Sequence, residues 1–558
     1  MKPKINKIAK YIYLLFLGIV TAVSDAFFQG GNTNSAGIVA KALVYFCLFA
    51  AFFTVTEKLF GYLEKPLCSS LSWHRFFEYS RKNVLRLSFI FFAVYLFYLL
   101  VFYPGVTSGD TVYQIVDLVT GTAPMAYPST YSDATVSSLM IDSNPVATTL
   151  VFTLFYKIGL LTGDPNRGLF LYSLVQSAGL SVLFATIVCY MDCLQVPKPI
   201  ALISAVFYAS PVIASFAIFM GKDMLFSLCF ILYFHVFTWL AIKPENPGGS
   251  KKQWALLVIL SLLISLTNKK GVYLALVSNL CLIFVIRGKK KLLALPAAII
   301  PYVFMAVMMQ QLLFPVFNVL PGGQQEVLGV AFQQTALSII EHPEEYSAEE
   351  KALFFSLLDL SEENLEEVYS PEITDPIKNR CQYNTESENV LAYLKMWASH
   401  FRRDARTYIR ATLSISGGYF SPHKVFNVYQ YTPYNEALGA FSQPGRLAPL
   451  RDSLGALIYW LENIPVFSIV SQDSFYVFWF PAFALYYLCL KKQWKGIVLL
   501  APFAANLLFL LFAPVCITRY TLCQLCTFPM LLAVCAQPAY TEKQRHTSTP
   551  HKDCLAMP

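Results

Sequence analysis

The chain has 558 residues, of which 56% are hydrophobic and only 14% charged, and its mean hydropathy is +0.51. Soluble globular domains carry roughly a quarter charged residues, so this composition excludes one. The net charge of +8 resides in short basic clusters between apolar runs, a positive-inside pattern and not a nucleic-acid footprint.

Stretches such as 86–104, 223–242 and 496–514 are nearly free of charge and reach the ~20 residues that carry a helix across a ~30 Å hydrocarbon core. Backbone polar groups in lipid must be satisfied internally, so such runs read as spanning helices. In chain order the sequence predicts spans at 11–29, 38–56, 86–104, 168–190, 199–219, 223–242, 254–268, 271–286, 292–314, 473–490, 496–514 and 517–536. The fold class is therefore an all-α polytopic membrane protein of about 12 transmembrane helices with a large, mainly helical extracytoplasmic insertion. Lys2, Lys4, Lys7 and Lys10 precede Tyr11–Val23 as in a signal peptide, but no small-x-small cleavage site follows, so this reads as an uncleaved first helix.

Loop charge sets the sides. The N-terminal lysines, the loops 58–86, 243–252, 287–291 and 491–495, and the tail beyond 541 are basic and belong in the cytoplasm, with both termini. Parity then places Tyr103-Pro-Gly and Asp110 outside, with Lys222-Asp223, the hairpin tip 267–271 and Thr518-Arg519-Tyr520. The count closes when the apolar stretch 146–163 lies along the membrane instead of crossing; the competing solution lets it cross and drops another span. The organisation expected is 1–85, two N-terminal helices and a cytoplasmic loop; 86–314, a transmembrane core with a first outer loop at 105–167; 315–472, the insertion; 473–537, three C-terminal helices; and 538–558, a cytoplasmic tail.

The insertion has a net charge of −8 against +16 for the remainder. Helical periodicity is expected over 333–340, 348–360 and 389–413, with a capping box at Ser347-x-x-Glu350 and an aromatic stripe of Trp397, Phe401 and Tyr408. The patch 454–470, with Glu462, Asn463 and Pro465, reads as a surface helix. His342, His400 and His423 lack metal-ligand spacing, and Cys523-x-x-Cys526 has no second pair nearby.

The polar residues placed at the outer face are Asp110, Gln114, Asp117, Asp142, Lys222, Asp223, Lys269, Lys270, Arg519 and Tyr520. Ionisable groups beside hydrocarbon are costly and count as functional candidates. Cations there suit a phosphate-bearing amphipathic substrate, and a desolvated Asp suits proton removal from a hydroxyl. Structural roles stand beside these: helix capping for Asp110 and Asp223, and snorkelling for Lys222, Lys269 and Lys270.

Tyr103-Pro-Gly…Asp110…Gln114, then Asn144-Pro145, Gly221-Lys-Asp223 and Arg519-Tyr520, resemble in order and type the motifs of GT-C integral-membrane glycosyltransferases. The similarity is greatest to poorly characterised bacterial membrane proteins with a YPGxxxxDxxxQ first loop. It covers 86–315 and, more loosely, the last three helices; Asn144-Pro145 departs from the His-Pro or Pro-Pro of many relatives. The resemblance implies inverting transfer of a hexose or pentose from a polyprenyl-phosphate donor to a glycan or lipid acceptor in cell-envelope synthesis. Asp110 would be general base; Asp223 would position the acceptor or ligate a divalent metal, Mg or Mn; Arg519 with Lys222, Lys269 or Lys270 would hold the lipid phosphate, with Tyr103, Gln114 and Tyr520 lining the substrate site. Two other classes fit a polytopic chain: a transporter or lipid flippase, and a non-catalytic envelope-assembly protein. The charged candidates gather at one face instead of mid-span, which favours an interfacial enzyme over a transporter.

Overall fold

The computed structural model describes residues 7–63, 72–120, 140–242, 249–320, 322–382, 387–422, 428, 438 and 443–537. His423, most of the basic loop 243–252, the loop residues 121–139 and the tail 538–558 lie outside the described residues. Among the described residues the chain is all-α apart from two parallel pairs of two-residue strands.

Among the described residues, six helical stretches are long and apolar enough to cross a membrane: Lys7–Gly30, Ser35–Leu63, Arg81–Val101, Pro165–Cys193, Lys222–Ile242 and Lys289–Val316. A seventh exists if Lys198–Tyr208 and Pro211–Ala217 count as one span, but they bend by 55°. The break falls at Ala209-Ser210, where Ser210 caps a new helix begun by Pro211. The expected straight span over 199–219 is thus a kinked pair, because proline cannot continue the preceding helix's hydrogen bonds. The other expected spans are shorter helices, among them Lys270–Phe284, Phe475–Leu490, Trp494–Leu510 and Leu522–Ala536.

The stretch 146–163 forms a 16-residue helix, Val146–Leu161, about 24 Å long at 1.5 Å per residue. It turns back at Thr162-Gly163 against Pro165–Cys193, the two crossing at Gly159 and Gly168. A Cβ on Gly168 would stand 2.1 Å from the Phe155 carbonyl oxygen, so no other residue allows this approach.

Buried aromatics knit the long helices together. Tyr208 stacks on Phe184 with ring centroids 4.0 Å apart; its hydroxyl donates to the Cys526 carbonyl (2.9 Å), and its own carbonyl accepts from the Tyr95 hydroxyl (2.7 Å). Each buried hydroxyl thereby keeps a partner while its ring fills the core.

The insertion has a hydrophobic core of its own around Phe332, Phe354, Leu358, Ile377 and Tyr393. The capping box forms, with Ser347 and Glu350 exchanging backbone hydrogen bonds at the start of Ala348–Ser356. The expected helix over 389–413 is two, Ser387–Arg403 and Ala405–Ser416, because Asp404 accepts from the Thr407 amide and caps the second. Phe401 and Tyr408, with ring centroids 5.8 Å apart, pack across that break. The 322–382 segment docks on the loop between the last two C-terminal helices: Ile373 bridges Val515, and the Thr374 amide donates to the Pro514 carbonyl (2.9 Å).

Candidate functional site

Two strand pairs align loops that are distant in sequence. In the first, β1 (Val106–Thr107) runs parallel to β3 (Phe219–Met220), with Val106 opposite Phe219 and Thr107 opposite Met220. Each strand feeds a helix, Gly109–Thr120 and Lys222–Ile242, so their first turns, carrying Asp110 and Lys222-Asp223, emerge side by side. The carbonyls of β3 and the residues before it are satisfied by Gln176, Ser173 and Thr111 side chains. Gly105 sits at φ +126°, and a Cβ there would meet Ser173 Oγ at 2.6 Å; glycine is required on both counts. The second pair, β2 (Met140–Ile141) with β4 (Val319–Leu320), sets Asp142 and Asn144 just before the helix Val146–Leu161.

These registers assemble a charged centre. Lys222 Nζ and Arg519 Nη1 each stand 3.1 Å from Asp110 Oδ2. Arg519 Nε faces Asp223 Oδ2 at 3.8 Å, and Asp223 Oδ1 accepts from Asn268 Nδ2 at 3.1 Å. Lys222 Nζ also donates to Asn144 Oδ1 at 2.6 Å. The Arg519 guanidinium lies 5.1 Å over the Tyr520 ring and donates to its hydroxyl (3.2 Å). Lys270 supports this arrangement from behind, donating to the Tyr520 carbonyl (3.0 Å) and resting over the Phe226 ring.

Burial alone would raise the Asp110 carboxyl, but Lys222 and Arg519, with Lys378 farther off, hold it well below the usual carboxylate range. Lys378 comes from the insertion and is itself buried, 3.1 Å from both Glu326 and Asp375. Burial disfavours its ammonium, yet Glu326 and Asp375 raise its pKa above the ordinary lysine value.

The structure brings Asp110, Lys222, Asp223, Arg519, Tyr520 and Lys270 together and sets other expected residues apart. Lys269 pairs with Asp142 (2.8 Å) in a neighbouring groove; burial raises the Asp142 carboxyl against the opposing pull of Lys269. Gln114 is engaged elsewhere, its amide donating to Thr148 and Thr149 (2.8 Å each), whose hydroxyls project from the first turn of Val146–Leu161. Tyr103 packs on Phe170, 5.5 Å between centroids, near Asp164 and Arg167. Asp117 is buried on the same first-loop helix. Asn144 was visible only as part of a motif, and Asn268 only as a polar residue at a hairpin tip. Lys378 carries no local signal in the sequence, since only the docking of the insertion brings it near.

For a divalent metal the donor set does not fit. Asp223 faces a guanidinium and an amide N–H, Asp110 faces two cations, and no metal-holding group of three His, Cys, Asp or Glu occurs among the described residues. Cationic and N–H neighbours oppose the hard-oxygen cage such ions need, so no step is derived through a metal. The arrangement suits anion exchange instead: two cations now neutralise carboxylates and can be shared with, or transferred to, a phosphate.

No curated protein and no solved structure matches the chain. A family model described as a family of unknown function (DUF6020) matches residues 80–549, most of the chain, and the protein belongs to that family.

Proposed function

We propose that this protein is a GT-C-type membrane glycosyltransferase that moves a sugar from a polyprenyl-phosphate donor to an extracytoplasmic acceptor. The observation that carries the reading is the pairing of Asp110 with both Lys222 and Arg519 at 3.1 Å. Those residues come from three remote segments, matching the order of motifs that suggested the class.

In this reading Asp110 is a weak base while its two cations are engaged. The donor's phosphodiester, with one negative charge on two non-bridging oxygens, shares Arg519 and Lys222 with Asp110, and its hold on them grows as the anomeric bond breaks and a second charge develops on the phosphate. As the cations shift toward the phosphate, Asp110 becomes more basic toward the acceptor hydroxyl. The acceptor hydroxyl gives its proton to Asp110, its oxygen bonds to the anomeric carbon, and the bond from that carbon to the phosphate oxygen breaks with inversion. The polyprenyl phosphate leaves as an anion held by Arg519 and Lys222. Asp223, kept in place by Asn268, orients the acceptor. The chain would cross the membrane about 12 times, the short apolar helices included, with both termini cytoplasmic and the 315–472 insertion outside.

A transfer assay in membranes with labelled polyprenyl-phosphate sugars tests the chemistry. Asp110→Asn and Asp223→Asn should each lose at least ~100-fold in rate; wild-type rates in both would refute it. Impermeant thiol reagents added from outside should label Val327→Cys, 82% exposed in the native chain, and Asn268→Cys but not Ser250→Cys. Labelling of Ser250→Cys alone would reverse the orientation.

A further inference from the structure

Beside the charged centre lies a groove of about 150 Å³, lined among the described residues by Asp142, Lys269, Tyr273, Tyr302, Met305, Ala306, Gln310 and others. One end is ionic: Lys269 Nζ and Asp142 Oδ2 are 2.8 Å apart, with the lysine side chain about half exposed. The walls are apolar and aromatic and open onto exposed hydrophobic surface, including Val303, Val307 and Leu312. The backbone is shaped for it. Residues Phe304–Leu313 wind as a π-helix, whose i→i+5 hydrogen bonding sets Met305 above Gln310 on the groove side. Gly322 closes the ionic end, where a Cβ would sit 3.0 Å from Lys269 Nζ and 3.1 Å from the Asp142 carbonyl oxygen.

We infer that this groove binds a zwitterionic bilayer phospholipid with a primary-amine head group, of the phosphatidylethanolamine type. The phosphate would lie on Lys269, the ammonium on Asp142, and an acyl chain along Tyr302 and Met305. Charge complementarity selects this occupant. A purely anionic lipid would have to displace the carboxylate already on Lys269, leaving Asp142 without its cation in a largely buried position, which is costly. A zwitterion inserts between the two and leaves each charge with a partner. A choline head group presents methyl groups where an ammonium presents N–H donors, so it forfeits the charge-assisted hydrogen bond to Asp142.

The site is separate from the proposed sugar transfer but borders it. Asp142 and Asn144 share one loop, and Asn268 and Lys269 share another; the asparagines serve the charged centre while the charged pair lines the groove.

Native mass spectrometry of the full chain, released from nanodiscs of phosphatidylethanolamine, phosphatidylcholine or phosphatidylglycerol, tests the inference without any activity assay. Wild type should retain the ethanolamine lipid about tenfold over either other, a difference of about 1.4 kcal/mol. Lys269→Gln and Asp142→Asn should each erase that preference. Ala306→Trp, which fills the groove without touching the ion pair, should abolish retention while leaving the melting temperature in detergent at the wild-type value. Equal retention of all three lipids by wild type overturns the inference, as does undiminished retention by Ala306→Trp.

Discussion

Arg519→Ala removes the cation that bridges the two carboxylates, and the loss is unequally shared. Asp110 keeps Lys222 at 3.1 Å. Asp223, whose side chain is 4% exposed, keeps the Asn268 amide at 3.1 Å and the more distant charge of Lys222. Stripping the partner from a buried charge costs about 3–5 kcal/mol in a dry site. The retained amide and the 3.8 Å separation from Arg519 lower this to about 2–3 kcal/mol. Most of that cost is desolvated charge on Asp223, so adding Asp223→Asn should recover about 1–2 kcal/mol, since a neutral amide is far cheaper to bury. Melting temperatures, followed by fluorescence-detected size exclusion in one detergent, should therefore rank Arg519→Ala lowest, the double variant above it, and wild type highest. If the double variant melts below Arg519→Ala by the full cost of Asp223→Asn alone, the two residues are uncoupled and the electrostatic account of the centre is wrong.

Three further outcomes follow from the same geometry. The folded pKa of Asp110 lies below its unfolded value of ~3.9, so its stabilisation is complete above that value and drains away as pH falls below it. The melting gap between wild type and Asp110→Asn should hold from pH 7 to about 5 and close only in more acid solution; a gap already closed at pH 6 contradicts the depressed carboxyl. Gln114→Leu removes both donors to Thr148 and Thr149 and should cost about 1–3 kcal/mol through the two acceptors left buried, seen as a lower melting temperature; an unchanged value would mean those hydroxyls have other donors. Lys378→Met removes the buried cation that pairs with both Glu326 and Asp375. It should loosen the 322–382 segment by about 2 kcal/mol, read as faster limited proteolysis there than in wild type, and equal rates would show that the pair does not hold the insertion.

Part of this molecule was legible in one dimension. Length and hydropathy suffice to identify runs such as 86–104 and 223–242 as apolar helices, because a helix of spanning length satisfies its own backbone and needs no partner to be recognised. The capping box at Ser347 is equally local: its hydrogen bonds close within four residues. Asp110, Lys222, Asp223 and Arg519 stood out as charges beside hydrocarbon, where charge is expensive. What the one-dimensional reading could not decide was direction. Gln114 and Tyr103 belong to the same motif as Asp110, yet Gln114 is engaged by two threonine hydroxyls and Tyr103 by a neighbouring aromatic, partners that other segments of the chain supply. Lys269 and Lys270 are adjacent in sequence but part company, one to Asp142 and the other to the Tyr520 carbonyl. The kink at Ser210-Pro211 and the break at Asp404 depend on capping bonds that periodicity alone does not resolve. The meeting of Asp110 with Lys222 rests on a two-residue strand pairing across more than a hundred residues, and that register, like the approach of Arg519 from the turn Thr518–Tyr520, is a property of the packed helices, not of any one segment by itself.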